Sequence, residues 1–295
     1  MKALLKVDYA CNNRCVFCHS AEHREREPAA VGVAHKVRRA AELGCTMVVL
    51  SGGEPTMQPR LMSWARAARR AGLALGLVTN GRMLAYADLV GRLRDQGLAY
   101  AQLSLHGPTA ALHDGLTRTP GSFDQSLQAA ELLLAAGVEL TVNAVVTANN
   151  LDELDGLADL LEDRALRLKY SMVEPKGAAL DAFERVVPPL EQAAARVSAT
   201  CARALTRRPQ RRLAHEGFPL CLVDDDLRRL ARDLGAEGFA YMSEADEDDL
   251  AAVDANNRAW PDACARCALA PSCFGVYRQY LARRDVALRP VGQRP

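Results

Sequence analysis

The chain has no apolar run of membrane length, and no export leader precedes its first ordered segment, since Met1-Lys2 leads straight into an apolar stretch. Membrane-embedded and secreted classes are thereby set aside. It also lacks an excess of either charge: 37 Lys and Arg against 36 Asp and Glu leave +1, which argues against a global nucleic-acid footprint. The one basic run, Arg207-Arg-Pro-Gln-Arg-Arg212, reads as a solvated linker, and the acidic run Glu244 to Asp249 as an exposed loop. Low-complexity tracts are missing as well, and no repeat is found beyond a strand-helix alternation. What remains is ordinary globular composition, 49% hydrophobic and 25% charged over 295 residues, enough to bury a sizeable core.

Cysteine, by contrast, is plentiful, with nine in the chain. Three fall in Cys11-Asn-Asn-Arg-Cys15-Val-Phe-Cys18, just after the strand-like Ala3 to Val7. Three thiolates can hold three irons of a cubane cluster and leave the fourth open to a substrate or cofactor. Zinc is the competing occupant, with His19 as a fourth ligand. Oxidation-sensitive thiols without an export signal point to the cytoplasm.

Leu50-Ser-Gly-Gly-Glu-Pro55 closes another apolar run. Two glycines let backbone approach a ligand closely, and Glu54 offers an acceptor to a cationic ammonium. Four amphipathic segments end at Gly44, Gly72, Gly97 and Gly137, where glycine supplies a left-handed cap, and each is followed by an apolar run. Ser122-Phe-Asp-Gln125 predicts a capping-box start for the helix ending at Gly137. A fifth helix, about Leu151 to Asp163, leads to a sixth strand, Ala165 to Met172. Six alternations argue a parallel sheet with helices outside. Such folds place sites at strand carboxyl ends, and there the sequence reads Thr79-Asn-Gly81, Ser104-Leu-His-Gly107, Asn143 to Thr147 and Ser171 to Glu174. His106 and His113 read as structural hydrogen-bonders.

The cysteine triplet, with Phe17 ahead of its last member and Gly-Gly-Glu at a later strand end, resembles the signature of the radical S-adenosylmethionine (radical SAM) superfamily. The resemblance implies an α/β fold, a partial (β/α)6 TIM-like barrel over residues 1–175. It implies a SAM-binding 4Fe-4S cluster on Cys11, Cys15 and Cys18, with Gly52, Gly53 and Glu54 at the SAM amino group. Thr79, Ser104 and Asn143 would meet the SAM carboxylate and ribose, and Phe17 the adenine. Such a site cleaves SAM reductively to a 5'-deoxyadenosyl radical, which abstracts hydrogen from substrate. A small electron donor such as flavodoxin or ferredoxin is the expected partner.

A second group, Cys264-Ala-Arg-Cys267 and Cys273 with Cys221, resembles the auxiliary-cluster SPASM domain or the shorter Twitch domain of that superfamily. Where the full domain has a further cysteine this chain has Tyr277, so one auxiliary 4Fe-4S cluster in a Twitch-like domain over 176–295 is expected. Structural zinc is the alternative. Cys45 and Cys201 read as buried apolar thiols.

Relatives with auxiliary clusters often modify ribosomal peptides, so RiPP side-chain modification is the leading expectation. Dehydrogenation or rearrangement of a small-molecule metabolite is the alternative, followed by a non-catalytic zinc scaffold or an iron-sulfur electron carrier. Lys169, Tyr170, Glu174 and Lys176, around the sixth strand end, are the candidate substrate contacts or base. A chain beginning at the barrel predicts that any peptide leader is held by a separate protein or by the C-terminal domain. The ending Val-Gly-Gln-Arg-Pro differs from the Gly-Gly tail of the molybdenum-cofactor relative.

Overall fold

The computed structural model describes residues 1–253 and 257–292. Its first strand, β1 (Lys2–Lys6), pairs in parallel with β2 (Met47–Ser51), followed by β3 (Ala74–Thr79), β4 (Leu98–Ser104), β5 (Glu139–Val146) and β6 (Arg167–Met172). Between them run α1 (Val33–Glu42), α2 (Leu61–Arg70), α3 (Ala87–Asp95), α4 (Ala110–Thr117), α5 (Ser122–Ala135) and α6 (Leu154–Leu160). Helix registers follow from apolar spacing: α2 buries Leu61, Trp64, Ala65 and Ala68, one stripe at intervals of three and four. Gly44, Gly72, Gly97 and Gly137 all take the expected left-handed conformation just past their helices, with φ between 68° and 92°.

The start of α5 differs from the sequence expectation. Ser122 is the first helical residue rather than a cap, and the capping oxygens come from Asp114 of α4, which accepts from the Gly121 N–H (2.7 Å), the Phe123 N–H (2.8 Å) and the Ser122 hydroxyl (2.9 Å). These donors hold the Asp114 carboxyl below its ordinary value although burial opposes them.

The sheet is wider than six strands. After α7 (Ala178–Asp181), α8 (Phe183–Val186) and α9 (Leu190–Arg207), β7 (Arg212–Glu216) adds in parallel beside β6. At the other edge β8 (Phe239–Ser243) adds in parallel beside β1 and β9 (Ala251–Ala252) antiparallel beside β8. A separate ribbon pairs β10 (Arg258–Ala259) with β11 (Val276–Tyr277), ahead of α10 (Arg278–Leu281).

In the order β7-β6-β5-β4-β3-β2-β1-β8-β9 the strands β6 and β8 are six steps apart, about 29 Å in a flat sheet at roughly 4.8 Å per step. Yet Lys169 of β6 lies 3.0 Å from Glu237, just before β8. The sheet is therefore curled into a partial barrel. Leu4, Val49, Tyr100 and Phe239, from β1, β2, β4 and β8, fill one end of its inside, and the larger core lies between the sheet and its helices.

Neither charged run is free. Arg207 meets Asp159 (2.8 Å) and Glu162 (2.7 Å), and Arg212 meets Glu139 (2.7 Å), so the basic run fastens the end of α9 and β7 to the wall. In the acidic run Glu244 pairs with Lys6 (2.5 Å), and Asp246 accepts from the Tyr9 hydroxyl (2.6 Å) and Arg26 (2.9 Å). Among the described residues no helix is long and apolar enough to cross a membrane.

Candidate active site

All eight parallel strands end on one rim, and the Cys11–Cys18 loop hangs from the end of β1. Its entry segment is clamped from β2: the Gly53 N–H donates to the Asp8 carbonyl and the Glu54 N–H to the Ala10 carbonyl, both at 2.8 Å. A Cβ at Gly53 would stand 2.1 Å from the Ala10 oxygen, and one at Gly52, where φ is +133°, 2.2 Å from the Asp8 oxygen. The glycine pair thus lets this strand end touch the cysteine loop's own backbone, a tighter constraint than ligand approach. On the far side the Arg14 and Val16 N–H groups donate to the Thr117 and Leu116 carbonyls at the end of α4 (both 2.9 Å).

Cys11, Cys15 and Cys18 are half-buried. The Asn13 N–H donates to the Cys11 sulfur at 3.4 Å, and the Asn80 amide does so at 3.7 Å. Burial first, then the neighbouring Cys11 and Cys18, pushes the Cys15 thiol up to about 12. A bound cation reverses such a shift, since coordination requires the thiolate. Among the described residues no three His, Cys, Asp or Glu side chains converge around a single ion.

Glu54 is fully buried and its carboxylate is engaged inside the protein. One oxygen accepts from the Thr56 N–H (3.0 Å), the Thr56 hydroxyl and the Thr79 hydroxyl (2.7 Å); the other accepts from the Asn80 N–H (2.7 Å). Burial raises the carboxyl above its ordinary value and these donors recover only part of that shift. Thr79, expected as a ligand group, spends its hydroxyl on Glu54 and on the Gly81 N–H (3.0 Å), so it is a brace between strand ends.

Ser104 and Asn143 stand opposite each other in register, next to Lys169 of β6. Asn143 accepts from the Ser171 hydroxyl (2.7 Å), which also reaches Glu216 (3.3 Å), and Lys169 lies between Glu216 (2.9 Å) and Glu237 (3.0 Å). Burial works to lower Lys169, but the two carboxylates outweigh it and hold the ammonium above its ordinary value. A polar band therefore crosses β4 to β7 on the barrel's inner face.

Tyr170 does not belong to it. Successive strand residues face opposite sides, and Tyr170 is wholly buried in the helical layer, its hydroxyl donating to the Leu154 carbonyl at 3.0 Å. It is a core residue. Glu174 reaches the C-terminal segment by accepting from the Asn257 amide (2.7 Å), and Lys176 is half-buried beyond it on the same connection.

Phe17 meets His106 edge-on at 4.8 Å, and His106 stacks on His113 at 5.4 Å. The His106 N–H donates to Nδ1 of His113 (3.0 Å), and Nδ1 of His106 accepts from the Val145 N–H (3.2 Å). Burial lowers both imidazoles, His113 to about 4. They are structural, as their place in the sequence suggested.

Cys221, Cys264, Cys267 and Cys273 line one apolar hollow, closed by Pro219, Trp260, Val276 and Leu288. The Leu220 N–H donates to the Cys273 sulfur and the Val291 N–H to the Cys267 sulfur, both at 3.4 Å. Beside the hollow the β10-β11 ribbon rests on the rim: Asn257 holds Glu174, and the Tyr277 hydroxyl lies against Gly217 just after β7. Cys45 and Cys201 are buried, away from both groups. Asn80, Glu216 and Glu237 were not singled out from sequence; Asn80 had a signal in its place on the rim within Thr79-Asn-Gly81.

The barrel, its rim and the cysteine-bearing loop after β1 define an open α/β barrel with a thiol-lined mouth. Residues 6–161 match the model of the radical SAM superfamily, and the chain belongs to that superfamily. It is 28% identical over 256 residues to an AdoMet-dependent heme synthase of Oleidesulfovibrio alaskensis, covering 81% of this chain and 66% of that one. It is 37% identical over 180 residues to a PqqA peptide cyclase of Ruegeria pomeroyi, covering 60% of this chain and 48% of that one. The chain thus spans about half to two thirds of these relatives' length. In fold it is similar to Streptococcus suis SuiB bound to S-adenosylmethionine, with a TM-score of 0.61 at 19% identity over 73% of this chain and 50% of that one.

Proposed function

We propose that the chain is a radical SAM enzyme that modifies peptide side chains, with Cys11, Cys15 and Cys18 holding the SAM-binding 4Fe-4S cluster. Cys221, Cys264, Cys267 and Cys273 hold an auxiliary cluster within a Twitch-like module, residues 176–295, that shares the barrel's sheet through β7 and β8. The observation that carries this reading is the gathering of both thiol groups at one rim, each with N–H donors aimed at sulfur, which suits thiolates bound to iron. When bound, the cluster and SAM supply a 5'-deoxyadenosyl radical that abstracts hydrogen.

The protein's own residues orient and enclose. Gly52 and Gly53 fix the cysteine loop, Glu54 ties the ends of β2 and β3 and, through Oε2, which has a single protein donor, is the acceptor for the SAM amino group, and Phe17 backs the loop beside the adenine. Ser104, Asn143 and Ser171 offer hydroxyl and amide groups to the SAM ribose and carboxylate or to substrate. Lys169 is held charged by Glu216 and Glu237, so it serves as a fixed cation rather than a base. A small reductant such as flavodoxin or ferredoxin supplies the electron, and the reaction takes place in the cytoplasm.

Peptide substrates are favoured by the likeness to the PqqA peptide cyclase and to a mycofactocin maturase from Mycobacterium ulcerans, 30% identical over 191 residues. A small-molecule substrate is the second reading, favoured by the longer match to heme synthases. Anaerobic protein should hold about eight irons from two cubanes, and with dithionite and SAM should yield 5'-deoxyadenosine. Two zincs and no 5'-deoxyadenosine would overturn the proposal. Co-expression with short peptides encoded beside the gene, read by mass spectrometry, separates the substrate readings: a mass change of the peptide supports the first, and turnover of a porphyrin the second.

A further inference from the structure

Asn80 uses every hydrogen-bonding group it has. Its backbone N–H donates to Glu54 (2.7 Å) and its carbonyl accepts from the Ser126 hydroxyl of α5 (2.8 Å), so the backbone is fixed from two sides. Its side-chain oxygen accepts from the Arg82 N–H (3.0 Å), which orients the amide and aims Nδ2 at the cysteine loop. There Nδ2 donates to the Asn12 side-chain oxygen (2.7 Å) and to the Cys11 sulfur (3.7 Å). Arg82 reinforces the same loop by donating to the Asn12 carbonyl (2.7 Å).

With the Asn13 N–H at 3.4 Å, Cys11 receives two donors. A donor to a cluster thiolate withdraws charge from the iron it binds and stabilises the reduced cluster, which carries one more electron. Asn80 is the part of this arrangement that a substitution can remove, because the other donor is backbone.

We propose that Asn80 is a positioning residue that raises the reduction potential of the cluster held by Cys11, and that Glu54 acts on the cluster through it. The inference rests on the assignment of Cys11 as an iron ligand. Through Asn80 the carboxylate of the Gly-Gly-Glu segment is linked to a cluster sulfur by one residue, so a change at Glu54 is felt at the metal as well as at SAM.

The test uses Asn80→Ala, which removes the donor without adding charge, and Asn80→Asp, which keeps the shape and the acceptor for Arg82 but puts a negative charge where the donor was. Both are purified anaerobically, reconstituted, and titrated with reductant while the electron paramagnetic resonance signal that changes on SAM addition is followed. At the potential that half-reduces the native cluster, the reduced-to-oxidised ratio should fall about tenfold in Asn80→Ala, the equivalent of one charge-assisted hydrogen bond, and further in Asn80→Asp, where the added charge also opposes reduction. Iron content should be unchanged. A purely structural role would lower iron content and leave the potential of the remaining clusters where it was. An unmoved potential with full iron overturns the proposal, as does failure of the Asp variant to regain iron on reconstitution. Cys11→Ala tests the underlying assignment separately: if it retained its full iron, Cys11 would not be a ligand, whatever the Asn80 variants showed.

Discussion

Lys169 and Glu237 form a 3.0 Å ion pair across the inside of the barrel, joining β6 to the turn before β8. Both side chains are almost wholly buried, so the pair is shielded from the screening that weakens surface bridges.

Lys169→Met should therefore lower unfolding free energy by about 3–5 kcal/mol, because it strands two carboxylates inside the barrel. Urea denaturation measures this, and Lys169→Met with Glu237→Gln should recover part of the loss. The native ion pair holds the Lys169 pKa above its ordinary value, so its contribution is full at neutral pH and is lost only as pH rises through that raised value.

Acid should act through the imidazoles. Burial lowers His113 and His215 to about 4 and lowers His106 as well, so the folded state resists protons that the unfolded chain takes up near 6.5. This stability is present above pH 6.5 and is lost as pH falls toward 4. His113→Gln should flatten the decline in denaturation midpoint between those limits; an unchanged slope would contradict the assignment.

Gly53→Ala places a methyl group 2.1 Å from the Ala10 oxygen and should displace the cysteine loop. We expect a loss of about 1–3 kcal/mol in stability and iron at the first site reduced by more than half. Gly32→Ala, with no atom within 4 Å of the new carbon, should change neither iron content nor melting temperature.

Replacing Cys264, Cys267 and Cys273 together by Ala should leave formation of 5'-deoxyadenosine largely intact while abolishing product. Circular dichroism and protease resistance establish whether the module stays folded, because metal-binding energy is folding energy in small modules. Full product formation by this variant would remove the second cysteine group from the function.

The sequence made the order of the first six strands legible because their signals are local, glycine caps and apolar runs, whereas β7, β8 and β9, which add at the sheet's edges, carried no such signal. Tyr170 was misplaced for a physical reason. Strand β6 is covered on both faces, so Leu168, Lys169 and Tyr170 are all buried and no alternation tells which of them looks into the barrel. The acidic run escaped because its partners are remote, Lys6 and Glu244 being 238 positions apart. Glu54 was recognised by its motif, but the donors that occupy it come from the end of β3 and from Thr56, which a motif does not specify.

β1 is made first, yet its outer neighbour is β8, residues 239–243. During translation that edge keeps its N–H and C=O groups bare until Ser243 has left the ribosome, and the thiol loop hangs from an unfinished wall throughout. A fragment cut at residue 175 would retain the stretch matched by the superfamily model but never acquire this neighbour, nor Glu237 opposite Lys169. Such a fragment should self-associate through β1 in sedimentation experiments, whereas the whole chain should not. The barrel wall at β1 is thus completed only by residues 239–243.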